Sequence, residues 1–291
     1  MINPVFDVVN FHLTEKCNYR CSYCFAKFAN ESEMSIDGWK KAADTVHAYF
    51  KRNHIKDGRI NLAGGEPLVL NYLNPLIEYI HNLGIKVSII TNGSLLSKIL
   101  IDEWTGKVQT LGISVDSLQY NTNLIIGRAS GLNTLDIPKL IDILQYAKNE
   151  GFKLKINTVI SKLNVQEDIV ELYKMIDFDR IKLLQMRINK NCNEHSRSLS
   201  INNTEFLDYC HKIQQEIGNV TIETDEDFES SYIIIDPFGN LIANQFNNHQ
   251  KTGSIFKQSL EELIDQAKIN QETFNKRYIK QGGALSNEHN T

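Results

Sequence analysis

Short runs of alternating apolar and polar residues recur along the chain, separated by longer runs with an apolar residue every third or fourth position. Alternation puts residues i, i+2 and i+4 on one side of a strand, whereas the longer period gives a helix a single apolar stripe. Strands are therefore expected at Asp7–Thr14, Arg59–Ala63, Lys86–Thr91, Thr110–Val115, Lys153–Ile160 and Arg180–Met186. Helices are expected at Ile36–Arg52, Tyr72–Leu83, Leu95–Glu103, Leu135–Asn149, Val165–Met175 and Asn203–Ile217, with Ser35 and Asn164 as N-caps of the first and fifth. Each gap between strands is long enough for a helical crossover. The strands are then parallel and the fold class is α/β, as a doubly wound sheet or a full or partial barrel. A polar stretch, Asn189–Ser200, and a hairpin over Ser231–Ala243 turning at Pro237–Asn240 mark a C-terminal extension, and the residues from Gly282 onward read as a disordered tail.

The polar sides of the six strands share a character. They carry Asn10, His12 and Thr14; Arg59 and Asn61; Ser88 and Asn92; Ser114 and Asp116; Lys155 and Asn157; and Arg180 and Lys182. The opposite sides carry Val, Ile, Leu and Phe, which helices can cover. A barrel filled only by its own side chains has an apolar interior, so a lumen of Asn, Ser, Lys and Arg predicts bound ligand and water.

Composition narrows the class. At 291 residues, 42% hydrophobic and 23% charged, the chain is an ordinary globular protein of one or two domains. No apolar run approaches the ~20 residues of a membrane-spanning helix, and Met1–Phe11 lacks the pattern of a secretory signal, so the cytoplasm is the expected location. A net charge of −4 gives no general attraction to nucleic acid or anionic membranes. Five cysteines are too few, and odd in number, for a disulfide scaffold.

Cys17, Cys21 and Cys24 form C-x3-C-x2-C directly after the first strand. Three thiolates on one loop suit an iron–sulfur cluster and would leave one iron of a four-iron cube open to a ligand. A zinc loop completed by a remote histidine, or cysteines acting as small hydrophobes, would use the same residues; Cys192 and Cys210 read as the latter kind. A second motif, Gly64-Gly65-Glu66-Pro67, ends the second strand, where glycines permit close backbone approach and a carboxylate can bind an ammonium group.

Together the two motifs resemble the radical SAM superfamily over roughly the first 190 residues, followed by the extension from 191 to the end. That resemblance implies a partial (βα)6 barrel with a [4Fe–4S] cluster on Cys17, Cys21 and Cys24. The open iron would bind S-adenosyl-L-methionine, whose reductive cleavage yields a 5′-deoxyadenosyl radical. It implies that Gly64, Gly65 and Glu66 bind the methionine end, Glu66 through its carboxylate, that Tyr23 and Phe25 line the adenine site, and that Asn92, Ser114 and Asn157 sit near the carboxylate and ribose. Further strings resemble the viperin-like branch of that superfamily: Val9-Asn10-Phe11-His12, Cys17-Asn18-Tyr19-Arg20-Cys21, Asn92-Gly93-Ser94, Ser114-Val115-Asp116-Ser117, Ile126-Gly127-Arg128, Lys155-Ile156-Asn157, Asn164-Val165-Gln166-Glu167-Asp168 and Ser231-Tyr232.

The narrower resemblance implies dehydration of a nucleoside triphosphate (CTP, UTP or GTP) to its 3′-deoxy-3′,4′-didehydro form, an antiviral chain terminator. Arg59, Arg128, Lys155, Arg180 and Lys182 would bind the phosphates, Asn10 and Asn61 would add neutral contacts, and Tyr232 would close the pocket and act on the substrate radical. An electron donor such as flavodoxin or ferredoxin is implied as a partner, and the chain is expected to be a monomer. The sequence shows no amphipathic helix before its first strand and ends Asn287–Thr291 without the tryptophan of animal members, so it is more similar to the prokaryotic ones and no membrane attachment is expected. Two other readings fit parts of the pattern. A peptide-modifying or GTP-cyclising radical SAM enzyme normally carries further C-terminal cysteines, which are lacking here, and a zinc-stabilised binding module leaves the glycine motif and the cationic strand faces unexplained.

Overall fold

All six expected strands form, and four more elements complete the sheet around them. The computed structural model describes residues 5–26, 32–245 and 248–279. In chain order these form β1 (Val8–His12), α1 (Ile36–Arg52), β2 (Arg59–Ala63), α2 (Leu73–Asn82), β3 (Lys86–Thr91), α3 (Lys98–Trp104), β4 (Val108–Ser114) and α4 (Tyr120–Ile126). They continue with β5 (Ala129–Ser130), β6 (Asn133–Thr134), α5 (Ile137–Asn149), β7 (Lys153–Ile160), α6 (Val170–Met175), β8 (Arg180–Gln185) and α7 (Asn203–Ile217). The last elements are β9 (Thr221–Glu223), β10 (Ile234–Ile235), β11 (Asn240–Gln245), β12 (Asn248–Ser254), α8 (Leu260–Gln266) and α9 (Gln271–Ile279). The tail expected from Gly282 lies outside the described residues.

The main sheet runs β12-β11-β10-β1-β2-β3-β4-β7-β8-β9. Pairing is parallel from β10 through to β9, and only β10–β11 and β11–β12 are antiparallel. The expected hairpin at Pro237–Asn240 is present, held by Asp236 Oδ1, which accepts from Phe238 N at 3.0 Å and Asn240 N at 2.7 Å. Its first strand also pairs with β1, placing residues beyond 190 in the same sheet as the first six strands. β9 escapes sequence reading because three residues cannot display a period of two.

Two helices begin most of a turn or more after the start of their apolar pattern. The helix expected from Leu95 starts at Lys98, because Gly93–Leu96 forms a turn and Ser97 caps the helix by accepting from Leu100 N. The helix expected from Val165 starts at Val170. Asn164, the expected cap, is engaged elsewhere: its amide donates to Asp116 O at 2.7 Å and Val159 O at 2.8 Å, and its oxygen accepts from Ser161 N. The α4 helix and the β5–β6 hairpin, both before α5, are absent from the sequence reading.

The two-faced strand pattern is realised. Val9, Phe11, Ile60, Leu62, Val87, Ile89, Leu111, Ile113, Leu154 and Leu183 are fully buried in one core with the inner faces of the helices. Trp39 of α1 lies against Phe11 with ring centroids 4.9 Å apart and is also fully buried. The other strand face is left to line a cavity. Among the described residues, no helix is long and apolar enough to cross a membrane.

Trp39→Ala is expected to cost about 3–5 kcal/mol of stability. Chemical denaturation checks this as a lower unfolding midpoint with an unchanged slope.

Candidate active site

The cysteine loop leaves β1 without regular secondary structure, so its shape comes from what grips it. Gly65 N donates to Thr14 O (2.6 Å) and Glu66 N to Lys16 O (2.8 Å), tying the loop to the end of β2. Arg20 N donates to Gly127 O (3.0 Å) and Ser22 N to Ile126 O (2.8 Å), tying it to the end of α4. Asn193 adds a bond from its amide to Tyr23 O at 2.8 Å.

Glycine is required at these grips. A Cβ on Gly65 would stand 2.1 Å from Lys16 O, and one on Gly127 would stand 2.1 Å from Arg20 O, distances no side chain tolerates. The close approach inferred from the glycine pair is therefore made first by the chain's own cysteine loop.

All three cysteines are free thiols, and each sulfur accepts a hydrogen bond. Cys17 Sγ takes one from Tyr19 N (3.3 Å) and one from Asn92 Nδ2 (3.8 Å), Cys21 Sγ one from Arg128 Nη1 (3.6 Å), and Cys24 Sγ one from Ala26 N (3.4 Å). Burial pushes all three thiols up, Cys24 to about 11, while these donors and the Arg128 charge pull the other way. Sulfurs that are desolvated yet supplied with N–H donors suit thiolates held by iron, whose negative charge such bonds stabilise. The donor set fits an iron–sulfur cluster.

A cavity of about 710 Å³ opens beside the loop and is lined by the polar strand faces. Of the residues singled out from sequence, Asn10, Tyr23, Cys24, Phe25, Arg59, Asn61, Gly64, Ser114, Arg128, Lys155, Asn157, Arg180, Lys182 and Tyr232 all reach it. The cations concentrate at one end. Arg59 and Arg180 are the first residues of β2 and β8, and Lys155 is paired with Arg180 in register. The thiols follow the other end of β1, so the two features are separated by about five residues of strand, or ~15 Å.

Burial drives Lys155 far below the usual lysine range, and the nearby charges of Lys182, Arg180 and Arg59 push it the same way, opposed by Glu223. Lys182 is buried and forms an ion pair with Glu223; its Nζ also donates to Tyr232 Oη at 2.9 Å, and that hydroxyl lies 3.3 Å from the Glu223 carboxylate. Asn61 Nδ2 donates to Asn10 Oδ1 at 2.8 Å, which fixes both amides at the cavity wall. His12, also on the wall, is lowered to about 4 by burial and is a neutral imidazole near pH 7.

Three assigned residues sit differently from expectation. Glu66 is wholly buried, and its carboxylate accepts from Thr91 Oγ1 (2.7 Å), Asn92 N (2.7 Å) and Leu68 N (3.0 Å). It presents no surface to the cavity, and its bonds anchor the ends of β2 and β3 to each other. Asn92 likewise faces the cysteine loop, donating to Asn18 Oδ1 (2.9 Å) and Cys17 Sγ. Arg128 does not join the cations of β2, β7 and β8. Its Nε lies 3.2 Å from Asp116 Oδ2, and although burial opposes its charge, Asp116, Cys21 and Tyr23 hold its pKa up.

Sequence reasoning missed Glu223, Phe228 and Arg187 as cavity residues. The alternation Val220-Thr221-Ile222-Glu223 is the only trace of the first, and it is too short to read. Asp116 was placed on a polar face but given no role. It binds the Tyr23 hydroxyl and Arg128, linking the loop to the end of β4.

Residues 11–176, which hold the cysteine loop, the glycine motif and most of the cavity, match the Radical SAM superfamily. The chain belongs to that superfamily. It is also 31% identical to the S-adenosylmethionine-dependent nucleotide dehydratase of Selenomonas ruminantium, over 93% of this chain and 98% of that one. A nucleotide dehydratase of the same description from Pseudoalteromonas ulvae is 31% identical, over 93% and 92%. These full-length matches place the radical SAM chain in the viperin-like nucleotide dehydratase family. Among solved structures, Streptococcus suis SuiB bound to S-adenosylmethionine superposes with a TM-score of 0.64 at 18% identity, covering 93% of this chain and 67% of SuiB, which shows the shared fold. Membership of the superfamily implies an iron–sulfur cluster and S-adenosylmethionine as cofactors, in agreement with the donor set of the loop.

Gly65→Ala is expected to displace the cysteine loop through its clash with Lys16 O. Anaerobic reconstitution followed by iron analysis checks this: the variant binds less iron per chain while circular dichroism shows the sheet and helices retained.

Proposed function

We propose that this enzyme dehydrates a nucleoside triphosphate to its 3′-deoxy-3′,4′-didehydro analogue, a chain terminator that acts against phage. One observation carries the reading: Arg59, Lys155, Arg180 and Lys182 converge at one end of the cavity with Glu223 as the buried anion beside them. Desolvated like charges repel, and a triphosphate bringing roughly four negative charges relieves that repulsion through charge-assisted hydrogen bonds. The nucleotide dehydratase relatives point to the same substrate class.

On this reading the phosphates lie on the β2, β7 and β8 cations and the ribose lies toward the cysteine loop. When bound on Cys17, Cys21 and Cys24, a [4Fe–4S] cluster with S-adenosylmethionine supplies the radical that removes one hydrogen atom. The chain's own residues do the positioning. Tyr23 and Phe25 wall the cavity next to the loop, and Gly64 places main chain there without a side chain in the way. Ser114 and Asn157, paired across β4 and β7, offer a hydroxyl and an amide between the two ends. The Glu223 carboxylate pairs with the Lys182 ammonium, and both orient the Tyr232 hydroxyl. Holding the sugar in one pose is the main demand, since a primary carbon radical must meet one C–H bond before it reacts elsewhere.

Reduced enzyme and S-adenosylmethionine incubated separately with CTP, UTP and GTP test the assignment. Nucleotide-stimulated 5′-deoxyadenosine and a product lighter than its substrate by one water are expected with at least one of them. No stimulation by any nucleotide refutes it. Lys155→Met gives a second, two-sided test. The nucleotide-free protein is expected to melt at higher temperature, because an amine whose protonated form is disfavoured by burial and by neighbouring cations is gone, while triphosphate binding weakens by about 10–100-fold, the equivalent of ~1.5–3 kcal/mol for a charged hydrogen bond.

A further inference from the structure

Lys182 stands apart from the other cations that line the cavity. It lies two residues beyond Arg180 along β8, ~7 Å nearer the end that carries the cysteine loop. Its register partner is Asn157, and that of Asn157 is Ser114, the amide and hydroxyl that face the cavity between its two ends. Arg180 pairs instead with Lys155. Phosphates held on Arg59, Lys155 and Arg180 therefore leave Lys182 at the level of the sugar.

The partners of Lys182 suit a proton donor better than a phosphate ligand. Its side chain is buried, forms an ion pair with Glu223 of β9 and donates from Nζ to Tyr232 Oη at 2.9 Å. Tyr232 Oη in turn donates to the Glu223 carboxylate, lying 3.3 Å from both oxygens. All three side chains reach the cavity wall. A carboxylate in this place repels a polyphosphate, and burying an ion pair carries a desolvation cost that its own attraction often fails to recover. Affinity for phosphate alone gives no reason for Glu223 to be there.

We propose that Lys182 is the acid that protonates the departing 3′-hydroxyl and that Glu223 is the residue that positions it. This role rests on the dehydration reading above, whose chemistry requires a proton donor. Loss of the 4′ hydrogen atom leaves a carbon radical beside C3′. When the C3′–O bond breaks, its electron pair goes to oxygen, and hydroxide leaves poorly until it gains a proton. The Lys182 ammonium gives that proton and water departs. The nucleotide is then a C3′–C4′ radical cation, which one electron converts to the double bond; the electron comes from a one-electron carrier of the class that reduces the cluster. Solvent returns a proton to the Lys182 amine. In sum, one hydrogen atom goes to the 5′-deoxyadenosyl radical, one proton and one electron are consumed, and one water is released.

The test compares the reconstituted holoenzyme with Glu223→Gln and Lys182→Arg, each given S-adenosylmethionine, dithionite and CTP, UTP or GTP. Triphosphate affinity is measured by titration, and dehydrated product and 5′-deoxyadenosine are quantified in the same samples. Glu223→Gln is expected to bind the triphosphate about three- to tenfold more tightly, because one negative charge has left the cavity. The same variant is expected to release about tenfold less product for each 5′-deoxyadenosine formed, and Glu223→Asp to recover part of that loss. Lys182→Arg keeps a positive charge but holds its proton too tightly to act as an acid, so its product per 5′-deoxyadenosine is expected to fall about 100-fold. Weaker triphosphate binding in Glu223→Gln with an unaltered ratio of product to 5′-deoxyadenosine overturns the proposal, since the pair is then a phosphate ligand only. A Lys182→Arg enzyme with the parent's ratio overturns it equally, and that result stands even where Glu223→Gln does not fold. If no nucleotide stimulates 5′-deoxyadenosine in the parent enzyme, the dehydration reading itself fails and takes this role with it.

Discussion

Positive charge gathered inside a protein must find negative charge or go without its protons. Two unit charges about 5 Å apart at an effective dielectric near 20 repel by roughly 3 kcal/mol, and Lys155 feels Lys182, Arg180 and Arg59 at once. Glu223 opposes this in part. The rest of the architecture is arranged around that cluster: a sheet with one face sealed by helices, the other left polar, and a cavity of about 710 Å³ with cations at one end and the cysteine loop at the other.

A second constraint shapes the opposite end. The cysteine loop has no secondary structure of its own, so two parts of the chain hold it through main-chain bonds and a third through the Asn193 side chain, and glycine is needed where the main chains come closest. The glycine motif therefore acts as a clamp before it acts as a ligand surface. Glu66 extends the clamp by joining β2 to β3, and Asn92 extends it to the sulfur of Cys17. Arg128 and Asp116 complete the ring around the thiols, which is why Arg128 is held away from the cluster of other cations despite its charge.

Much of this was legible in the residues. The six strands, their two faces, the thiol spacing and the glycine pair are local patterns, and local patterns survive without knowledge of partners. Lys155, Arg180 and Lys182 could be placed on one polar side because a strand's period is two and the strands are parallel. Glu223 and the short β9 were not legible, since three residues carry no period and their pairing depends on a segment far away in sequence. The late starts of α3 and α6 show the same limit: Ser97 and Asn164 form bonds that apolar spacing does not record.

What the amino-acid order by itself determined is the inventory and its faces: an α/β chain, one polar and cationic side to its sheet, and three sulfurs on one loop. What only the tertiary structure decided is which of these groups meet. It sent Arg128 to the sulfurs and Lys155 to the other cations, turned Glu66 inward, and brought Glu223 beside Lys182 across about forty residues of intervening chain. The reason is physical: a side chain's face follows from a local backbone period, but its neighbours follow from long-range packing and from how far burial lets one charge feel another.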